Sequence, residues 1–401
     1  MELKKTLLIL LPLITPYIIV DFRLDQFLYP LIFMFIFVFG WKDKFIVDFF
    51  VLGTVLSFIP VFIGTISSNY LPPIDNVYIV KNTYNILKLF IFVYIGYYFS
   101  KKWHYENKDI IFVIKMIIII SFAVSFSHFI SVAFLSSDNA ITEFLIKNYH
   151  LLPQSTLNFR FPGLFMQPAT YGIYFIFLSF FVISLNMPKV YLLLLFLNGL
   201  LANTKVFLFS IPVVILMMIN FKKVKISFDF KTIAIWSILI IAIFAFFNIF
   251  SEEILRVIDR WEIFFEDPLA GRGENVIAEN INYILKTAPL FGNGFTKNPV
   301  ISEIYGIWDS MYNEELTFGG ITFLTIRFLI IFYLFNLAFS SISSKKNILL
   351  LVFILYTAGI GIHPFFQQRI IEIVSLIIGI LLYKKRYCDN NYSKEINKYT
   401  H

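Results

Sequence analysis

Long apolar runs recur along the whole chain, separated by short polar connections that carry most of its lysines and arginines. No other feature constrains the fold as strongly. A run of ~20 apolar residues crosses hydrocarbon as a helix, because in lipid every backbone N–H and C=O must be paired within the segment. Of the 401 residues, 58% are hydrophobic and only 15% are charged. Soluble domains carry roughly 25% charged residues, and a soluble core could not hide this much apolar surface. A soluble enzyme, a secreted disulfide scaffold and a disordered chain are therefore excluded. Cys388 is the single cysteine, so no intramolecular disulfide can form. The five histidines are scattered without zinc-like spacing.

The runs predict an all-α, polytopic transmembrane bundle of about twelve spans. The first six are Leu7–Val20, Phe27–Trp41, Phe45–Ile66, Tyr84–Phe99, Ile110–Leu135 and Gly163–Leu185. Val190–Ala202, Val206–Ile219, Thr232–Phe250, Leu316–Phe339, Ile348–Ile362 and Ile370–Tyr383 follow. Residues 1–250 thus hold nine spans, 251–313 a large loop, 314–383 three spans and 384–401 a tail. Lys4 and Lys5 precede the first run and no small-residue cleavage site follows it, so it reads as a span and not as a removed leader.

Basic residues orient the bundle. With the N-terminus inside, the inner segments hold nineteen Lys and Arg and the outer ones eleven; Lys88, Lys115 and Arg327 fall within spans. Such a bias predicts cytoplasmic termini. The +7 net charge is then a property of the loops on the cytoplasmic side, and no nucleic-acid partner is expected. The irregular loops bearing Gly and Pro all fall outside, which places the activity on the outer face of a plasma membrane.

The long outer segment opens with Ser251 as a good N-cap and Glu252 and Glu253 in the first turn. Ile254, Ile258, Trp261 and Phe265 recur at helical spacing, predicting an amphipathic interfacial helix. Arg256 and Arg260 share a face of it, and Arg256 has Glu252 and Glu253 a turn away as ordinary pairing partners. A second short helix follows Gly271-Arg272-Gly273. Gly292 and Gly294 then mark a turn of unusual dihedrals. This segment has ten acids against five bases, so anion recognition here must come from individual arginines held in place. Arg272, between two glycines, is best placed for it.

In an earlier outer loop Arg160 stands beside Pro162, Gly163 and Pro168. A guanidinium next to irregular backbone suits a lipid phosphate, since it binds two oxygens at once; the alternative is a snorkelling interfacial arginine. Lys205, in the turn Asn203-Thr204-Lys205, must likewise reach water or an anion. Arg327 lies eleven residues into its span, at ~1.5 Å per residue roughly 16 Å deep, with no partner legible. His363-Pro364 and Arg369 mark the last outer loop, with Glu372 just beyond. His128 is mid-span and reads as a core histidine.

The order of these motifs resembles the bacterial O-antigen polymerase and O-antigen ligase superfamily. The motifs are Arg160-Phe161-Pro162-Gly163, Thr204-Lys205, Gly271-Arg272, Pro289-Leu-Phe-Gly-Asn-Gly294, and the polar stretch from Asp309 through Tyr312 to Gly319-Gly320. Arg260 and Gly271 also have ten residues between them, like an Arg-x10-Gly pattern of such polymerases. The resemblance covers roughly Arg160 to Gly320. It implies a GT-C-like, metal-independent glycosyltransferase with no cofactor, working in a bacterial inner membrane with its active face periplasmic. It would join oligosaccharide repeat units carried on undecaprenyl pyrophosphate, with a chain-length regulator and a flippase as candidate partners. Ligases of the superfamily have a His where this chain has Asp309, which favours polymerase.

On that reading, positive charge must meet the departing pyrophosphate. Arg160, Lys205 and Arg272 are the candidates, with Arg260 behind them. Asp309, Glu274, Glu314 and His363 are candidate bases for the acceptor hydroxyl, although Glu314 and Glu315 also suit a solvated helix start. Tyr305, Trp308 and Tyr312 are candidate sugar platforms or interfacial belt residues. A ligase that transfers glycan to lipid A core, and a lipid-linked oligosaccharide flippase or transporter, stay open as alternatives. A transporter predicts discontinuous helices around a midplane site.

Overall fold

The computed structural model describes residues 3–19, 22–39, 43–68, 76–165, 167–219, 278–295, 310–360, 362–367 and 369–399. Among them the chain is all-α apart from one two-stranded antiparallel pair. The elements are α1 (Leu3–Ile14), β1 (Tyr17–Ile19), β2 (Phe22–Arg23), α2 (Leu24–Phe39), α3 (Lys44–Ser67), α4 (Asn76–Trp103) and α5 (Asn107–Leu135). Two short helices, α6 (Ala140–Tyr149) and α7 (Pro153–Leu157), precede α8 (Pro168–Ser184), α9 (Val190–Ala202) and α10 (Lys205–Met218). The last are α11 (Ala278–Thr287), α12 (Met311–Phe339), α13 (Lys345–Ala358) and α14 (Ile370–Tyr399). The expected span Thr232–Phe250 and the amphipathic helix after Ser251 lie outside the described residues.

Three helices, α3, α5 and α12, are long and apolar enough to cross a membrane. Shorter apolar helices include α8, α9 and α10. The outward faces are themselves apolar: Phe35, Phe62, Phe134 and Phe353 are each more than 60% exposed. Such a surface needs lipid in place of water.

Several boundaries differ from expectation for local reasons. The first helix stops at Ile14 and not at Val20, because Pro16 disfavours helix at Thr15. The chain then turns back through β1 and β2. The sixth expected span begins at Pro168 and not at Gly163; proline suits the first helical position, where its missing N–H is not needed.

Helix ends sort into two polar faces. At one, Lys5 of α1 pairs with Asp109 at 3.2 Å, Arg386 of α14 pairs with Asp43 at 3.2 Å, and Lys346 donates to the carbonyl of Leu216 at 2.7 Å. This is the basic end. At the opposite end α8, α10, α12 and α14 begin and α1, α3 and α13 finish.

The tightest crossing is α4 on α14. Gly96 lies against the carbonyl of Leu376, and Gly379 against that of Val93; a Cβ would meet those oxygens at 2.2 Å and 2.1 Å. Small residues let two backbones approach where lipid provides no hydrophobic drive between helices. Near the opposite end a buried charge network fastens α1 to α14. Arg23 donates to both carboxylate oxygens of Asp25, at 2.9 and 2.8 Å, and also to Glu372. Arg369 donates to the carbonyls of Pro12, Leu13 and Thr15 at 3.1, 2.7 and 3.0 Å, capping the end of α1.

Candidate functional site

The start of α12 is tied down before its chemistry begins. The Met311 N–H donates to the Gly359 carbonyl at 2.8 Å, at the end of α13. After two turns the helix breaks: Gly319 and Gly320 leave helical geometry, Gly320 with φ +64°. A break frees backbone carbonyls and N–H groups, which cannot stay unpaired in a buried setting. The turn 289–294 pairs two of each. The N–H groups of Asn293 and Gly294 donate to the carbonyls of Thr317 and Phe318 at 2.7 and 3.1 Å. Those of Ile321 and Thr322 donate to Pro289 and Leu290 at 2.9 and 3.2 Å. Gly292, with φ +60°, allows this approach, since a Cβ there would lie 2.5 Å from the carbonyl oxygen of Leu316.

The break folds the first segment of α12 over the second. Arg327 Nε lies 3.1 Å from Glu315 Oε1. His363 Nε2, from the loop between α13 and α14, lies 3.4 Å from the same oxygen and 3.8 Å from Glu314 Oε2. The His363 ring stacks on Phe366 at 3.7 Å between centroids, and the Arg327 guanidinium lies over the Phe366 ring at 4.8 Å. From α4, Lys88 donates to the Phe366 carbonyl and to Asn85 Oδ1, the latter at 3.1 Å. Burial holds the His363 imidazole well below its ordinary value, and the charges of Arg327 and Lys88 push it in the same direction. The neutral imidazole is the form this setting favours.

Of the expected bases, Glu314 and His363 therefore meet in one cluster. Glu315 is not a solvated helix start: it is fully buried, whereas Glu314 is partly exposed at the rim. Arg327 gains the partner that its sequence position withheld. Lys88 was legible only as a charge within a span. Tyr312 donates through its hydroxyl to the Tyr356 carbonyl at 3.0 Å, at the cluster's edge. Among the described residues no group of His, Cys, Asp and Glu is arranged to hold a metal ion.

A second corner forms at the same end. The Phe161 N–H donates to the Leu201 carbonyl at 2.8 Å, bringing the Arg160 loop to the turn that carries Lys205. Thr204 caps α10 by accepting from the Phe207 N–H, so Lys205 is its first residue. Gly163, at φ +65°, packs against Ser125, where a Cβ would lie 2.4 Å from Oγ. Beneath the corner Phe161 is buried edge-on against His128 at 5.0 Å, and His128 Nε2 lies 3.1 Å from Thr142 Oγ1. His128 is thus a core residue, as its position suggests. Thr170 of α8 donates to Gln367 Oε1 at 2.7 Å, and Gln367 Nε2 donates to the His363 carbonyl at 3.2 Å. These two bonds link the corner to the cluster.

Arg260, Arg272, Glu274, Tyr305, Trp308 and Asp309 lie outside the described residues. Comparison of the chain with protein-family models, with curated proteins and with solved structures gives no match.

Proposed function

We propose that this chain is a surface-polysaccharide polymerase of the O-antigen type, a twelve-span, GT-C-like glycosyltransferase of a bacterial inner membrane. It joins oligosaccharide repeat units carried on undecaprenyl pyrophosphate at the periplasmic face, and both termini are cytoplasmic. One observation carries the reading: two cations chosen from separate sequence motifs, Arg160 and Lys205, lie at one corner, joined by the bond from Phe161 to Leu201. Cations on neighbouring loops next to irregular backbone suit a departing pyrophosphate, whose developing charge needs fixed positive groups. The cluster with Glu314 and His363 sits at the same end, as an acceptor-activating group requires.

The test is transfer in liposomes holding the purified protein and lipid-pyrophosphate-linked repeat units. Lengthened chains together with released lipid pyrophosphate support the polymerase. Transfer of glycan only to lipid A core supports the ligase instead.

One observation favours a transporter as a second reading. The break at Gly319 and Gly320 makes α12 a discontinuous helix beside buried charges, as transporter sites use. Movement of unextended lipid-linked oligosaccharide across the liposome bilayer, without chain growth, selects that reading.

A further inference from the structure

A cavity of about 480 Å³ opens where α3 ends against the turn that closes the break in α12. Ser67, Ser68, Thr287, Pro289, Phe291 and Asn293 line it. Pockets that hold small ligands span roughly 300–1,000 Å³, so there is room for one. The walls are fixed. A Cβ on Gly64 would strike the Phe291 carbonyl oxygen, and one on Gly294 would strike Thr65, so α3 and the turn touch backbone to backbone. The Phe295 N–H donates to Thr65 Oγ1 at 3.0 Å beside them. On its other side the turn is held by its four bonds to the break. A space built this way needs little ordering when a ligand enters it.

The lining selects the ligand. No ionisable side chain borders the cavity. Two helices finish at it, α3 at Ser67 and α11 at Thr287. The last carbonyls of a helix have no intrahelical N–H, and that end carries partial negative charge. The hydroxyls add to this surplus of acceptors. Ser67 Oγ donates to the Gly64 carbonyl at 3.4 Å, and Thr287 Oγ1 to the Tyr283 carbonyl at 2.8 Å. Each hydrogen is thus spent, while each oxygen can still accept. A phosphate would face carbonyl oxygens with no cation to hold it. A metal ion or an ammonium would give up its water with no carboxylate to replace it. A neutral group rich in hydroxyl donors meets the acceptors without either cost. Pro289 and Phe291 add the apolar surface that the C–H face of such a group covers.

We propose that this cavity is a binding site for a neutral, polyhydroxylated ligand, one sugar residue of a glycan. Its hydroxyls donate to Ser67, to Thr287 and to the carbonyls at the two helix ends. The site deepens the polymerase reading by giving the glycan a place to rest, and it depends on that reading only for the sugar's source.

The experiment is saturation-transfer NMR on the full chain in lipid nanodiscs. The probes are the methyl glycosides of glucose, galactose and N-acetylglucosamine at millimolar concentration, with inorganic pyrophosphate and ethanolamine as competitors. Transfer to at least one glycoside is expected, undiminished by either competitor. Ser67→Trp fills the cavity and is expected to abolish it. Thr287→Val removes one acceptor and is expected to weaken binding by about 2–10-fold, the effect of one neutral hydrogen bond. Both positions are exposed, so neither change disturbs the core, and circular dichroism confirms the fold. Absence of transfer to folded wild-type protein from every glycoside overturns the proposal. Displacement by pyrophosphate or by ethanolamine overturns its chemistry, and unchanged transfer in both variants overturns its location. Sugar binding here without chain growth leaves this site standing while the polymerase reading falls; chain growth without binding here does the reverse.

Discussion

Arg327 Nε lies 3.1 Å from Glu315 Oε1 although the two residues are twelve positions apart in one helix. A straight helix rises ~1.5 Å per residue and would hold their backbones ~18 Å apart, beyond the joint reach of the two side chains. The pair exists because α12 breaks at Gly319 and Gly320. The backbone break, the turn that pairs it and the buried charges are therefore one unit, and each part can be tested through the others.

Removing one member of a buried pair strands the other, at a cost of about 3–5 kcal/mol. Arg327→Gln and Glu315→Gln are each expected to lower the melting temperature of the detergent-solubilised protein clearly. The double variant is expected to lose less than the sum of the two. Additive losses in the double-mutant cycle would mean that the two residues do not interact.

Gly320 has φ +64°, and a Cβ there would meet the Leu290 carbonyl carbon at 2.4 Å. Gly320→Ala therefore carries both the strain of a left-handed alanine, of order 1 kcal/mol or more, and a clash with the turn that closes the break. Limited proteolysis between α11 and α12 should speed up in this variant. Equal rates for Gly320→Ala and wild type would show that the turn does not hold the break.

Much of this architecture was legible from sequence. The described helices follow the apolar runs because, in lipid, hydropathy and backbone pairing leave a chain few alternatives. Arg160 and Lys205 stood out because charge beside Gly and Pro in an apolar context needs a reason. Glu315 did not: it stands beside Glu314 at what looks like a solvated helix start, and only the fold-back buries it. Its partner is hidden for the same reason, since helical spacing places position 327 three turns away. The doublet Gly319-Gly320 just after two carboxylates was the available signal. Lys88 gains its place from a contact distant in sequence, with the Phe366 carbonyl, which periodicity does not reveal.

His363 supplies a pH dependence. Its folded pKa lies below its ordinary value through burial, with Arg327 and Lys88 adding. Glu314 and Glu315 of α12 face it as well. The fold thus favours neutral imidazole: its full contribution is present above the ordinary histidine pKa, near ~6.5, and is lost as pH falls below that value toward the folded one. Wild-type stability should decline between pH 7 and pH 5 more steeply than that of His363→Gln. Parallel profiles for the two proteins would contradict a buried neutral His363.

The corner where the Arg160 loop meets the turn of Lys205 carries the proposed function. The deciding measurement is the ladder of lipid-linked chains made in liposomes by wild type, Arg160→Ala and Lys205→Ala, with folding confirmed for each. Wild type should give a full ladder. Each variant should fall by about 10²–10³ in rate, the usual loss when one transition-state charge donor is removed, leaving mostly single units. An unchanged ladder in both variants, or none from wild type, would contradict it.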